Sequence, residues 1–132
     1  MIDRRSFPRS SPSHRAHLQD GIQRFNQRQF FECHEVLEAA WLTIRGPSRD
    51  FYKGLIQAAV SCYHWSRGNT AGAISLSHTA SRYLKRYCPA YLGVDVERFL
   101  RDYHALFASI QQEDLSYNAD EVPKIYWRDS NQ

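Results

Sequence analysis

Residues 50–67, DFYKGLIQAAVSCYHWSR, decide the fold class. Wound as a helix, Phe51, Leu55, Ala58, Cys62 and Trp65 form one face, while Tyr52, Ile56, Ala59, Val60 and Tyr63 cover most of the other. A helix apolar nearly all round belongs at the centre of a bundle. Its remaining polar strip holds Gln57, Ser61 and His64 at i, i+4 and i+7, with Gly54 one turn earlier. Gly46-Pro47-Ser48 before the stretch and Gly68-Asn69 after it are breakers. Similar punctuation predicts four further helical windows, at roughly 15–26, 30–44, 70–87 and 95–112.

No window reads as a strand, and short links between windows imply antiparallel neighbours. The expected fold is therefore all-α, a single bundle of about five helices. The last window is the most regular: Val96, Phe99, Leu100, Tyr103, Leu106, Phe107 and Ile110 follow i, i+3, i+4, i+7 spacing. In the fourth, Ala73, Leu76, Ala80, Tyr83, Leu84 and Tyr87 lie opposite Ser75, His78 and Arg82. Residues 88–94 form the longest interior connection. The organisation implied is a basic flexible tail over 1–14, a bundle over 15–112 and a C-terminal tail over 113–132, whose Ile125, Tyr126 and Trp127 are placed to dock back.

With 132 residues and 42% apolar content, the chain can bury a core without disulfide or metal staples. The net charge of +3 is concentrated at one end, since residues 1–28 hold six Arg against Asp3 and Asp20, whereas residues 29–132 carry a net −1. A nucleic-acid binder needs a basic stripe on its folded body, so that partner class is disfavoured. Cys33, Cys62 and Cys88 have no metal-ligand spacing, and the first two sit in apolar helical stretches, which suits a reducing cytoplasmic setting. No apolar run approaches the ~18 residues of a membrane span. The Arg- and Ser-rich start resembles an organelle transit segment, but Pro8 and Pro12 interrupt the amphipathic helix that such a segment needs.

Chemistry is concentrated in the second and third windows. Phe30, Cys33, Leu37, Ala40, Trp41 and Ile44 form the buried face of the second, bordered by His34; Glu38 follows one turn later, and Glu35 lies further out. A buried carboxylate needs a partner. His34 at i, i+4 is the local one, and the Gln57/His64 strip is the distant one if the two helices pack antiparallel. His34, Glu35, Glu38, Gln57 and His64 are therefore expected to line a polar pocket between the second and third helices. His34, Glu38 and His64 would suit Zn, Fe or Mn, with Glu35 as a further ligand or base. The wording His-Glu-Val-Leu-Glu is neither HExxH nor the paired ExxH of di-iron bundles, and the same groups would also serve as a hydrogen-bonded layer that fixes helix register. On either reading His34→Ala is expected to cost ~1–3 kcal/mol.

Several words of the sequence occur together in one family. Phe31-Glu32-Cys33-His34-Glu35-Val36-Leu37-Glu38 with Trp41, then Gly54-Leu55-Ile56-Gln57, Tyr63-His64, Gly68-Asn69-Thr70-Ala71-Gly72-Ala73 and Tyr91-Leu92-Gly93-Val94-Asp95, resemble the small helical proteins grouped as domain of unknown function 309. The resemblance covers roughly residues 22–100 and implies an all-α bundle of unassigned activity. It places the family's signature polar positions on Glu32, His34, Glu35, Glu38, Gln57 and His64. Cys33 stands where that pattern has Ala, and Lys53 where it has Gln.

The function expected is that of a soluble binding or interaction protein. Two alternatives remain: a metal-dependent hydrolase using the His/Glu cluster, and an adaptor, since Asn26-Gln27-Arg28-Gln29-Phe30-Phe31 is similar to a tetratricopeptide turn although no 34-residue period is visible. The aromatic content permits a homodimer.

Overall fold

A computed structural model of the protein describes residues 12–128. Five α-helices carry the fold: α1 (Pro12–Asn26), α2 (Phe30–Trp41), α3 (Ser48–Ser66), α4 (Thr70–Leu84) and α5 (Val96–Glu113). All five windows read from the sequence are helices, and the fold class is all-α as expected. Of the basic stretch 1–14, residues 1–11 lie outside the described residues, and 12–14 open α1.

Helix α2 stops three residues short of its window. Its last turn is closed from outside, because the Arg49 guanidinium donates to the carbonyls of Trp41 (2.8 Å) and Ile44 (3.1 Å). Carbonyls at a helix end have no partner of their own, so this cap suits a stop at Trp41. The link from α3 to α4 shows why Gly68-Asn69-Thr70-Ala71-Gly72 has its composition. Gly68 takes a positive φ of 82°. Asn69 then caps α4, its side-chain oxygen accepting from the Gly72 amide at 3.0 Å. A Cβ at Gly72 would stand 2.6–3.0 Å from that Asn69 side chain, so the capping bond requires glycine there.

The interior connection holds a short hairpin that the sequence reading did not foresee. Ala90–Tyr91 (β1) and Val94–Asp95 (β2) pair antiparallel, and Leu92 and Gly93 between them both have positive φ, 48° and 83°. Positive φ at both central residues is the geometry of the tight hairpin whose twist matches paired strands. Asp95 leaves this hairpin and caps α5 through the Arg98 amide at 3.1 Å.

Helix α3 lies between α2 and α4. Gly54 brings α3 and α4 together: a Cβ there would stand 2.7 Å from Leu84 Cγ and 3.0 Å from Tyr83 Cβ. Ser61, fully buried, faces α5 and meets the Tyr103 hydroxyl at 2.5 Å. The core gathers around Phe25, Phe51, Tyr52, Trp65, Phe99 and Tyr103, each 1% exposed or less; burying side chains of this size contributes ~1.5–3 kcal/mol apiece.

The C-terminal segment docks onto this body. Val122 and Ile125 are buried, the Asn26 amide bonds both the carbonyl and the N–H of Ile125, and Trp65 donates to the Leu115 carbonyl. Tyr126 and Trp127 stay partly exposed, with Trp127 bridging to Val94 and Arg98 stacked on Tyr126. No helix among the described residues is long and apolar enough to cross a membrane.

Candidate functional site

Between residues 51 and 65, α3 is buried except at Lys53, Gln57, Val60, Tyr63 and His64. Four of these, Lys53, Gln57, Val60 and His64, recur at i, i+4, i+7 and i+11, the spacing of one helical stripe. The polar strip expected from the sequence therefore splits. Gln57 and His64 belong to this half-exposed stripe, whereas Ser61 turns inward to Tyr103 and Gly54 to Leu84.

Helix α2 runs alongside, and ring contacts give its register. Phe31 lies 5.5 Å from Tyr63, and ten residues later the Trp41 ring receives Lys53 Nζ at 4.6 Å and the Arg49 guanidinium at 3.9 Å. The helices are thus antiparallel, as anticipated. Cations against an indole face are attracted by its quadrupole, by ~0.5–1 kcal/mol at exposed sites.

His34 and Glu38 come together on α2. The His34 Nδ1–H donates to the Phe31 carbonyl at 3.2 Å, leaving Nε2 directed to Glu38 Oε1 at 3.8 Å. The His34 side chain is 24% exposed and that of Glu38 48%, so the carboxylate keeps much of its hydration and its demand for a partner is small. Glu35 is exposed, and Glu32 occupies the first turn of α2, where a carboxylate suits the positive end of the helix dipole.

His64 is not beside His34. Two rings separate them: His34 to Phe31 is 5.3 Å, Phe31 to Tyr63 is 5.5 Å, and Tyr63 to His64 is 6.4 Å between centroids. His64 Nδ1 stands 3.5 Å from the Asn69 side-chain amide, on the α3–α4 link. Among the described residues, no group of three or more His, Cys, Asp or Glu side chains is placed to hold a metal ion. What the face presents is a file of four rings, a half-exposed His–Glu pair and an indole covered by two cations.

Two polar atoms of this face lack a hydrogen bond. Trp41 Nε1–H, a donor, and Gln57 Oε1, an acceptor, are buried and have no partner among the described residues. Each such group left unmet costs ~1–3 kcal/mol. Sequence reasoning found Gln57, placed Trp41 in the core and brought in Lys53 only as a departure from the family pattern, but missed the parts played by Phe31, Arg49 and Tyr63. The i, i+4, i+7, i+11 recurrence running from Lys53 to His64 is the signal that would have drawn Lys53 into the site.

The face lies within a recognisable segment. Residues 18–76 match the family model described as a domain of unknown function, DUF309. That match takes in all of α2 and α3. The uncharacterized protein YpuF of Bacillus subtilis (strain 168) is 38% identical over 87 residues, covering 64% of this chain, and the match spans about half the length of that relative.

Proposed function

We propose that the protein, whose residues 18–76 match the DUF309 family model, a description that names no activity, is a binding or interaction protein whose recognition face is the α2–α3 stripe. One observation carries the reading. Among the described residues the large apolar side chains left exposed are Phe31 (45%), Leu42 (63%), Tyr126 and Trp127, and the first two mark the two ends of α2 on either side of His34, Glu38 and Trp41. The Tyr126 ring is stacked by Arg98, and the Trp127 ring lies over Gly93 of the hairpin. Phe31 and Leu42 belong with the features that distinguish interfaces, where aromatic residues and Arg are enriched.

Charge specifies the partner further. Lys53 has no carboxylate partner among the described residues, whereas Arg49 is occupied with backbone carbonyls. The face fits a protein that presents an apolar side chain next to an acidic one. The pair His34 and Glu38 and the acceptor of Gln57 then contribute orientation, since hydrogen-bonding groups at an interface give specificity more than affinity.

Site-specific photo-crosslinking tests this. A photoreactive residue at position 31 or 42 should capture one defined protein in cells, and excess unlabelled chain should compete it away. Positions 97 and 112, exposed on α5, should not capture it. Equal capture at all four positions, or none at 31 and 42, would overturn the proposal.

A further inference from the structure

A second site lies between α4 and α5, and it shares no residue with the α2–α3 face. The two helices splay to leave a half-open cleft of about 280 Å³. Ile74, Phe107 and Ala108 give it an apolar wall, and Tyr103, fully buried behind them, is bonded to Ser61. The rim is basic: Arg82 and Lys85 carry its charge, with the imidazoles of His78 on the α4 side and His104 on α5 beside them. No carboxylate lines the cleft, and among the described residues neither Arg82 nor Lys85 has an ion-pair partner.

That gathering of like charge is unusual on this molecule. Arg86, one residue beyond Lys85, is paired with Asp50 at 2.8 Å, and Arg128 is paired with Asp95 at 2.9 Å. Within the cleft the charge of His104 is disfavoured. The His104 imidazole is pushed below its ordinary value by burial first, then by Lys85 and His78, and no acid is among the charges acting on it. Ser81 Oγ and His104 Nε2 are 2.9 Å apart, which fixes the imidazole edge and leaves a hydroxyl at the mouth.

We propose that this cleft binds a small organic anion, a phosphate monoester or carboxylate carried on a compact apolar group. The headgroup sits among Arg82, Lys85 and the Ser81–His104 pair, where charge-assisted bonds to an oxyanion are strong. The apolar group lies against Ile74, Phe107 and Ala108. At the low end of ligand-pocket sizes, ~300–1,000 Å³, the cleft accepts something of the size of a single aromatic ring with its headgroup.

The test is an NMR titration of the full chain, isotopically labelled, with phenyl phosphate, benzoate, benzyl alcohol and inorganic phosphate as probes. Phenyl phosphate or benzoate should give saturable shifts at the amides of Ser81, Lys85, His104 and Phe107. Benzyl alcohol and inorganic phosphate, each supplying half of the chemistry, should bind about tenfold more weakly or worse. The exposed pair Arg82→Gln/Lys85→Gln should lose about tenfold in affinity for the anionic probes while the rest of the spectrum stays in place. Independently, Ala108→Leu, which fills the cleft from an exposed position, should abolish the shifts. Unsaturable or scattered shifts, equal binding of benzyl alcohol, or affinity unchanged in both variants would overturn the proposal. Since Phe31 and Leu42 take no part, this result is independent of the crosslinking result at α2–α3.

Discussion

Asn26, the last residue of α1, ties the C-terminal segment to the bundle, and Asn26→Ala measures how strongly. Its side chain makes two bonds to one residue: Nδ2–H to the Ile125 carbonyl at 2.9 Å and Oδ1 from the Ile125 N–H at 2.8 Å. Each partly buried bond of this kind contributes ~0.5–1.5 kcal/mol net, so losing both should cost ~1–3 kcal/mol. The segment should nonetheless stay docked. Val122 and Ile125 are 2% and 3% exposed, and their burial adds ~1.5–3 kcal/mol each. The Arg28 guanidinium still holds the Val122 carbonyl, and the Asp95 and Arg128 amides still bond the Tyr126 and Gly93 carbonyls. Asn26→Asp should cost at least as much at neutral pH, because a carboxylate can accept from Ile125 N–H but cannot donate to its carbonyl. The assay is urea unfolding at constant m-value, paired with hydrogen exchange at the Ile125 amide. A change within ~0.5 kcal/mol together with unchanged exchange at Ile125 would refute the reasoning, since a bond that holds the segment cannot be removed at no cost.

Other expectations follow from burial and geometry. His34→Ala should now cost less than ~1 kcal/mol in thermal or chemical unfolding, because its Glu38 partner is half exposed at 3.8 Å and such pairs contribute ~0–1 kcal/mol; a loss of 2 kcal/mol or more, on the order first read from the sequence, would show a more demanding site. Cys33 and Cys62 are buried, and burial pushes both thiols up to about 12, so a thiol reagent at mild alkaline pH should label the exposed Cys88 promptly and the other two only on unfolding. Between the ordinary thiol value of ~8.5 and about 12 the folded chain holds protons that the unfolded chain has released. Stability should therefore fall as pH rises through that window, which urea midpoints across an alkaline pH series would check. Plasma mass spectrometry of the purified, tag-free protein should find Zn, Fe and Mn well below stoichiometric, because His34 and Glu38 supply two donors where catalytic zinc takes three; near-stoichiometric metal that disappears in His34→Ala/His64→Ala would contradict this.

The helices were legible because period and punctuation agree. All seven periodic positions read for α5, from Val96 to Ile110, are buried, and so are Phe51, Leu55, Ala58, Cys62 and Trp65 of α3. The hairpin at 90–95 was hidden, since its left-handed Leu92 carries none of the Asn or Gly signature of a tight turn at that position. On α4, Ser77 is buried where Leu76 was expected, its hydroxyl donating to the Ile74 carbonyl one turn back. The site was legible in its members more than in its arrangement. Helical projection correctly put His34 beside Glu38, but it treated Gln57, Ser61 and His64 as one strip. These three spread over about a sixth of a turn, and only the neighbouring helices decide which edge is solvated. Tyr103 draws Ser61 inward, and the Phe31–Tyr63 contact keeps His64 from His34. Such pairings between helices leave no trace in a single helix's periodicity.

The claim that α2–α3 is the recognition face is tested most directly by the affinity of the captured partner, measured calorimetrically for the intact chain and for three single variants. Phe31→Ala and Lys53→Gln should each weaken binding about tenfold or more, the scale of a residue central to an interface. Arg82→Gln, on the rim of the other cleft, should leave it unchanged. Equal affinity across all four proteins, or a loss at Arg82 alone, would contradict the account.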